Sequence, residues 1–321
     1  CLVGSEMCIR DRRNGGTVMI EAKNISKRFD GFTALDNISC VIPDGSIYGM
    51  VGTNGAGKST LLRMLTGVYK PDGGAVSYDG RPVYENPEVK KDIAYVPDEL
   101  YFLPGASMNR MAKLYAATYP NFNMESFVQL TDDFKLDRRK NISTFSKGMK
   151  RQAAIILALS GRPKYMFFDE TFDGLDPVMR NLVKALICQE VEERKAIAVI
   201  TSHSLRELED TCDQLALLHR GGLVLESDIS ELKTNLYKVQ VAFRGDYDRG
   251  LFVGIDILHF VKRGSVSNII VKGDREKVVS QFNKLNPIIL DILPLTLEEV
   301  FTYEVEALGY DFSAIFEKEG E

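Results

Sequence analysis

A chain of 321 residues, 45% hydrophobic and 26% charged, has the make-up of an ordinary folded protein of about two domains. A net charge of −5 and the lack of any long basic run argue against nucleic acid as a partner. No apolar run approaches the ~18 residues that a membrane-crossing helix needs. The 5 cysteines show neither C-x-x-C spacing nor an even framework, which fits a reducing cytoplasm.

Residues 1–18 read as a non-native leader. Residues 1–12 resemble the translation of a sequencing adapter and have no signal-peptide character, so the native start is expected near Met19. From there Met19–Ile25 alternates like a strand, Ile38–Ile42 reads as a second, and Pro43-Asp44-Gly45 is a turn. Ile47–Val51 is a short apolar, β-favouring run, and Leu61–Leu65 has the leucine spacing of a helix face. Between them lies Gly52-Thr53-Asn54-Gly55-Ala56-Gly57-Lys58-Ser59-Thr60. This matches G-x-x-x-x-G-K-[ST] in the required strand–loop–helix setting, where backbone N–H groups converge on a phosphate at a helix N-terminus. In such a loop Lys58 reaches the β- and γ-phosphates and the Ser59 hydroxyl ligates Mg²⁺.

Val76-Ser77-Tyr78 and Ile93–Val96 are the next expected strands. From about Glu99 to Leu159 no strand is convincing. Helices are expected at Met108–Tyr119, Met124–Phe134 and Met149–Leu159, as an insertion into an α/β core. Tyr165–Phe168 is an apolar strand ending in Asp169-Glu170. Pro177–Arg194 is helical, Ala196–Thr201 is a strand, and a helix begins at Leu205. Leu215–Leu218 and Leu223–Leu225 form a hairpin. Strands alternating with helices predict a largely parallel sheet with ligands at its carboxyl ends. The glycine loop, Asp169-Glu170 and Thr201-Ser202-His203 all fall at those ends. Past Ser227, strands at Val239–Phe243, Ile257–Val261, Val266–Val271 and Ile288–Ile292 accompany an amphipathic Asp274–Leu285. Thr296-Leu297-Glu298-Glu299 is a capping box opening a last helix, and the end after Asp311 is expected to fray.

Taken together, Gly52–Thr60, Phe145-Ser146-Lys147-Gly148-Met149, Phe168-Asp169-Glu170, Gly174-Leu175-Asp176 and His203 stand in the order of the motifs of one family. Residues 19–228 resemble the ATP-binding subunit of an ABC transporter, and Ser146-Lys147-Gly148-Met149-Lys150 is similar to the signature of its exporter-type branch. The resemblance implies an ABC ATPase core, a P-loop NTPase α/β fold with an antiparallel β subdomain and a helical subdomain at about 99–160. Residues 229–321 would add a small C-terminal α+β domain, for packing or dimer stabilisation or as a regulatory module.

The resemblance also implies roles. ATP and Mg²⁺ are the cofactors, with Gly52, Thr53, Asn54, Gly55, Ala56, Gly57, Lys58, Ser59 and Thr60 around the phosphates and Phe29 stacked on adenine. Asp169 holds Mg²⁺ together with Ser59, and Glu170 positions the attacking water. His203 contacts the γ-phosphate. Ser146, Lys147 and Gly148 serve the ATP held by the opposite subunit, and Gly174, Leu175 and Asp176 contact that subunit. Where the family has Gln after Tyr-x-Pro, this chain has Asp98, which is expected in the Mg²⁺ shell. The implied partners are an integral membrane permease, which decides the substrate, and a second ATPase subunit, identical or paralogous. The implied location is cytoplasmic, on the cytoplasmic face of the membrane. A soluble ABC ATPase acting on ribosomes or DNA would carry tandem cassettes or long coiled coils, and a purely regulatory subunit would not need Lys58, Glu170 and His203 together.

Overall fold

The computed structural model describes residues 19–230 and 236–307; the leader at 1–18 and the end after Asp311 lie outside the described residues. The chain forms two compact units. Of the described residues, one takes those up to Tyr48, Gly55–Thr201 and Arg220–Gly222, and the other takes Gly49–Asn54, Ser202–His219 and those from Leu223 onward.

The first unit opens with an antiparallel hairpin of β1 (Met19–Phe29) and β2 (Phe32–Pro43). Asp30 and Gly31 both have positive φ between the paired Phe29 and Phe32. This is the two-residue Asp-Gly turn whose twist suits a hairpin. Strands β4 (Gly73–Tyr78) and β5 (Arg81–Pro82) complete a sheet of order β2-β1-β4-β5. Both hairpin strands run longer than their alternation suggests. Register shifts after Ala22 and Ile25 change the phase, so the buried residues of β1 are Ile20, Ala22 and Ile25 rather than a strict every-other set.

Beyond β3 (Ile47–Val51), a parallel sheet of the same unit has the order β8-β7-β6, from β6 (Ile93–Val96), β7 (Tyr165–Phe168) and β8 (Ile197–Ser202). Every residue of β3, β7 and β8 is buried, the pattern of parallel strands covered on both faces. Helix α1 (Lys58–Leu65) follows the glycine loop, and α2 (Pro87–Lys90) is a single turn that periodicity did not signal. Tyr78 joins the two sheets: its ring meets Tyr165 edge-on at 4.6 Å and its hydroxyl donates to the Leu65 carbonyl at 2.7 Å.

The helical insertion is built as its caps direct. Helices α3 (Met108–Thr118), α4 (Met124–Asp133) and α5 (Lys147–Ser160) start at Ser107, Asn123 and Ser146, each side chain accepting a first-turn N–H. Helix α6 (Pro177–Arg194) starts at Asp176 with Pro177 in its first turn.

In the second unit, β9 (Gln214–His219) and β10 (Gly222–Asp228) continue a sheet of order β10-β9-β3, with α7 (Leu205–Glu209) preceding them. A four-stranded antiparallel sheet follows, β12-β13-β11-β14, from β11 (Leu236–Ala242), β12 (Ile257–Arg263), β13 (Val266–Lys272) and β14 (Ile289–Pro294). Val239, Val241, Ile269 and Val271 pack with Phe252 and with Val278 and Phe282 of α8 (Arg275–Asn283). The capping box forms: Thr296 Oγ1 accepts from Glu299 N at 3.2 Å and Thr296 N donates to Glu299 Oε2 at 3.0 Å. It opens α9 (Leu297–Ala307), which packs against α7.

Candidate functional site

Gly52–Gly57 links β3 to α1. Gly57 caps the helix at φ 105°, and a Cβ there would sit 2.7 Å from Leu35 Cδ2 and 2.9 Å from the Ala34 carbonyl, so no other residue fits. The loop is pinned by Gly221 N donating to Ala56 O at 3.0 Å and by Leu61 N donating to Gly57 O at 2.8 Å. Lys58 and Ser59 thus open a helix whose first-turn N–H groups lack intrahelical partners, the geometry that receives an anion.

Parallel pairing brings the ends of β7 and β8 beside this helix start. The Lys58 ammonium, only 5% exposed, lies 3.1 Å from Glu170 Oε1. Asp169 is completely buried, and each of its oxygens has a donor. Ser59 Oγ donates to Oδ1 at 3.0 Å and Thr201 Oγ1 to the same oxygen at 2.8 Å, while the Tyr95 hydroxyl donates to Oδ2 at 3.3 Å. Thr201 Oγ1 also accepts from Glu170 N at 2.9 Å, so one hydroxyl fixes both acids. Glu170 itself has φ 46°, a costly backbone for a non-glycine residue, held where its side chain meets Lys58. Burial, reinforced by the Asp169 charge, pushes the Tyr95 phenol up to about 12, so it stays a donor at neutral pH. The Ser59 hydroxyl and the Asp169 carboxylate are hard oxygen donors converging on one point, which fits Mg²⁺.

The sequence places Thr201 at the strand ends without a role of its own, and it gives Tyr95 none. Their partners are 32 and 74 residues away, and only the strand order reveals them. The weak signal for Thr201 was its place at the carboxyl end of an apolar strand.

Other expected residues form separate groups. Ser146 caps α5 by accepting from Met149 N at 3.2 Å. A Cβ on Gly148 would lie 2.8 Å from the Gly174 carbonyl, so the Ser146–Gly148 turn and Gly174 touch directly. Asp176 Oδ1 accepts from Val178 N and Met179 N, both at 3.0 Å, as the cap of α6, and Leu175 is buried beside it. His203 belongs to the second unit, where Ser202 Oγ donates to Glu207 Oε2 at 2.7 Å and accepts from Ser204 N at 3.0 Å, fixing the turn into α7. Phe29 is 38% exposed at the hairpin turn, edge-on to Tyr69 at 5.5 Å with Lys27 Nζ 5.4 Å from its ring centre. An aromatic face is thus available on the surface. Asp98, expected near Mg²⁺, accepts at Oδ1 from Arg151 Nη2 at 2.8 Å.

The ABC transporter family pattern matches residues 35–173. The ABC transporter ATP-binding protein YtrB of Bacillus subtilis (strain 168) is 33% identical, over 88% of this chain and 97% of that protein. The linearmycin resistance ATP-binding protein LnrL of the same organism is 29% identical, over 88% of this chain and 97% of its own length. Among solved structures, an ATP-binding subunit of an ABC transporter superposes with a TM-score of 0.62 at 25% identity, covering 67% of this chain and 92% of that one.

Proposed function

Because the chain belongs to the family of ABC transporter ATP-binding proteins, we propose that it is the ATP-hydrolysing subunit of a transport system and drives a separate integral membrane permease, in the export direction. The observation that carries this reading is the convergence of Lys58, Ser59, Asp169, Glu170 and Thr201 at the ends of β7 and β8. ATP is the substrate and Mg²⁺ its counter-ion, held by Ser59 and Asp169. The ion neutralises phosphate charge and polarises the γ-phosphoryl group when bound.

The chain's own residues do the rest. Lys58, balanced by Glu170 in this structure, exchanges that carboxylate for a phosphate oxygen, which has more negative charge to offer. Glu170 is then released toward the water it positions. Phe29 offers the face for adenine, His203 contacts the γ-phosphate, and Ser146, Lys147 and Gly148 complete the ATP site of a second subunit, identical or paralogous, with Gly174, Leu175 and Asp176 at that interface. ATP therefore joins two subunits and hydrolysis parts them. We assign residues 19–228 to the ATP-binding domain, with a helical subdomain at about 99–160, and 229–321 to an accessory α+β domain. No helix among the described residues is long and apolar enough to cross a membrane. We place the subunit on the cytoplasmic face of the membrane, against its permease.

Glu170→Gln tests the reading. ATP turnover should fall by about 10²–10⁴-fold, the usual contribution of a positioned base, while ATP binding persists and sedimentation with excess ATP shows a trapped dimer. Unchanged turnover would remove Glu170 from the reaction, and a strict monomer would remove the shared site.

A further inference from the structure

Among the described residues Arg151 is the largest fully buried side chain, and its charge takes no part in the ATP chemistry. It stands in the second turn of α5, the helix capped by Ser146. Its guanidinium reaches 53 to 54 residues back to the loop after β6, donating from Nη1 to the Pro97 carbonyl at 3.1 Å and the Asp98 carbonyl at 3.0 Å. From Nη2 it donates to Asp98 Oδ1 at 2.8 Å. The guanidinium is 1% exposed while the Asp98 side chain is 54% exposed, so the acid sits at the rim and the cation in the interior.

A buried guanidinium needs a counter-charge and fixed acceptors, and leaving it alone is strongly unfavourable. The residue that supplies the charge is Asp98, at the position where the resemblance places Gln. A neutral amide there would satisfy the hydrogen bond but not the charge. The loop is also tied to the metal-holding end of β7, since Asp169 N donates to the Val96 carbonyl at 2.9 Å. One continuous chain of bonds thus runs from Asp169 through Val96, Pro97 and Asp98 to Arg151 and the start of α5.

We infer that Asp98 is a latch to Arg151 and not a ligand of Mg²⁺: the pair makes the loop at 97–98 and the Ser146–Gly148 turn move as one body. The inference rests on the reading that Ser146–Gly148 serve the second subunit's ATP. Asp98 and Arg151 are then positioning residues, acting on ATP-driven pairing through the helix start.

The test uses the full chain with Asp98→Asn, Arg151→Met and the double variant. A ligand role and a latch role separate on Mg²⁺ dependence. As a latch, Asp98→Asn leaves the Mg²⁺ concentration for half-maximal nucleotide binding unchanged. In the Glu170→Gln background each single variant weakens ATP-driven dimerisation on the order of tenfold, within the range of coupled neighbours, and the double variant is no worse than the weaker single. Hydrogen exchange at Met149 and Lys150 rises in Asp98→Asn even without nucleotide. That arm reads the latch where no dimer forms, an outcome that would count against the shared ATP site instead. Should Arg151→Met fail to fold, Arg151→Lys, which keeps the charge and loses the fork, takes its place. A raised Mg²⁺ requirement in Asp98→Asn alone, additive losses in the double variant, or unchanged exchange at Met149 and Lys150 would each overturn the proposal.

Discussion

Thr201 shows how much of the site rests on one hydroxyl. It accepts from Glu170 N and donates to Asp169 Oδ1, at 2.9 and 2.8 Å, with no solvent exposure. Thr201→Val keeps the shape and removes both bonds. A buried N–H then loses its acceptor and a buried carboxylate one of its donors, which costs about 1–3 kcal/mol for the stranded group. We expect a loss of that size in urea unfolding with an unchanged m-value, together with slower ATP turnover because Glu170 is no longer held in its positive-φ conformation. Lost turnover at full stability would make the hydroxyl purely chemical, and lost stability at full turnover would make it purely structural. The same residue marks what sequence conveys. Lys58, Ser59, Asp169 and Glu170 were legible because each belongs to a short pattern with its own strand and loop around it. Thr201, Tyr95 and Arg151 act through partners 32, 74 and 53 residues away, and nothing local to them carries that information.

Among the elements, those with a clean period and a recognisable cap were legible almost to the residue. Tyr165–Phe168 and Pro177–Arg194 form as the sequence suggests, and Thr296 caps α9 through Glu299. The hairpin β1–β2 was shorter on paper because its register shifts scramble the two-residue period, and Asn24 and Asn37, both at positive φ, sit where the phase changes. Contact between α7 and α9 was not legible at all, being tertiary. Arg206 Nη2 lies 3.0 Å from Glu298 Oε2 across it, an exposed pair worth little alone. The buried Leu205 and Leu208 of α7, with Leu297, Val300 and Phe301 of α9, carry the packing instead. Since α7 directly follows His203, loosening α9 should loosen the histidine turn. Phe301→Ala, which empties a fully buried site at a cost of about 3–5 kcal/mol, should speed hydrogen exchange at residues 202–209. Arg206→Ala should leave that exchange nearly unchanged. A large effect from Arg206→Ala with none from Phe301→Ala would mean that the ion pair, not the apolar contact, holds α7.

At the scale of the chain, the antiparallel sheet, the parallel sheet and the helical insertion of the first unit share a set of buried and half-buried phenols. Burial pushes Tyr78, Tyr165, Tyr115 and Tyr119 upward, Tyr119 to about 12, and Tyr95 reaches about 12 by burial and the charge of Asp169. In the unfolded chain all of them ionise near their ordinary value of 10. A group whose folded pKa lies above its unfolded one contributes its full stabilisation below the unfolded value. That contribution is lost as pH rises toward the folded value, because only the unfolded chain sheds the proton. Stability should therefore be level in this respect up to about pH 10 and fall steeply from there to about pH 12. Tyr78 is the most exacting case: its hydroxyl donates to the Leu65 carbonyl at the end of α1, and the phenolate has no proton to give. Replacing it by Phe removes the bond but also the ionisation. Tyr78→Phe should therefore lower stability at neutral pH by about 0.5–1.5 kcal/mol, one net hydrogen bond, and narrow the gap to wild type as pH rises above 10. Melting temperatures followed alongside tyrosinate absorbance decide it. Parallel curves for the two proteins across that window would show that Tyr78 does not ionise on unfolding, and that the alkaline loss belongs to Tyr95, Tyr115, Tyr119 and Tyr165.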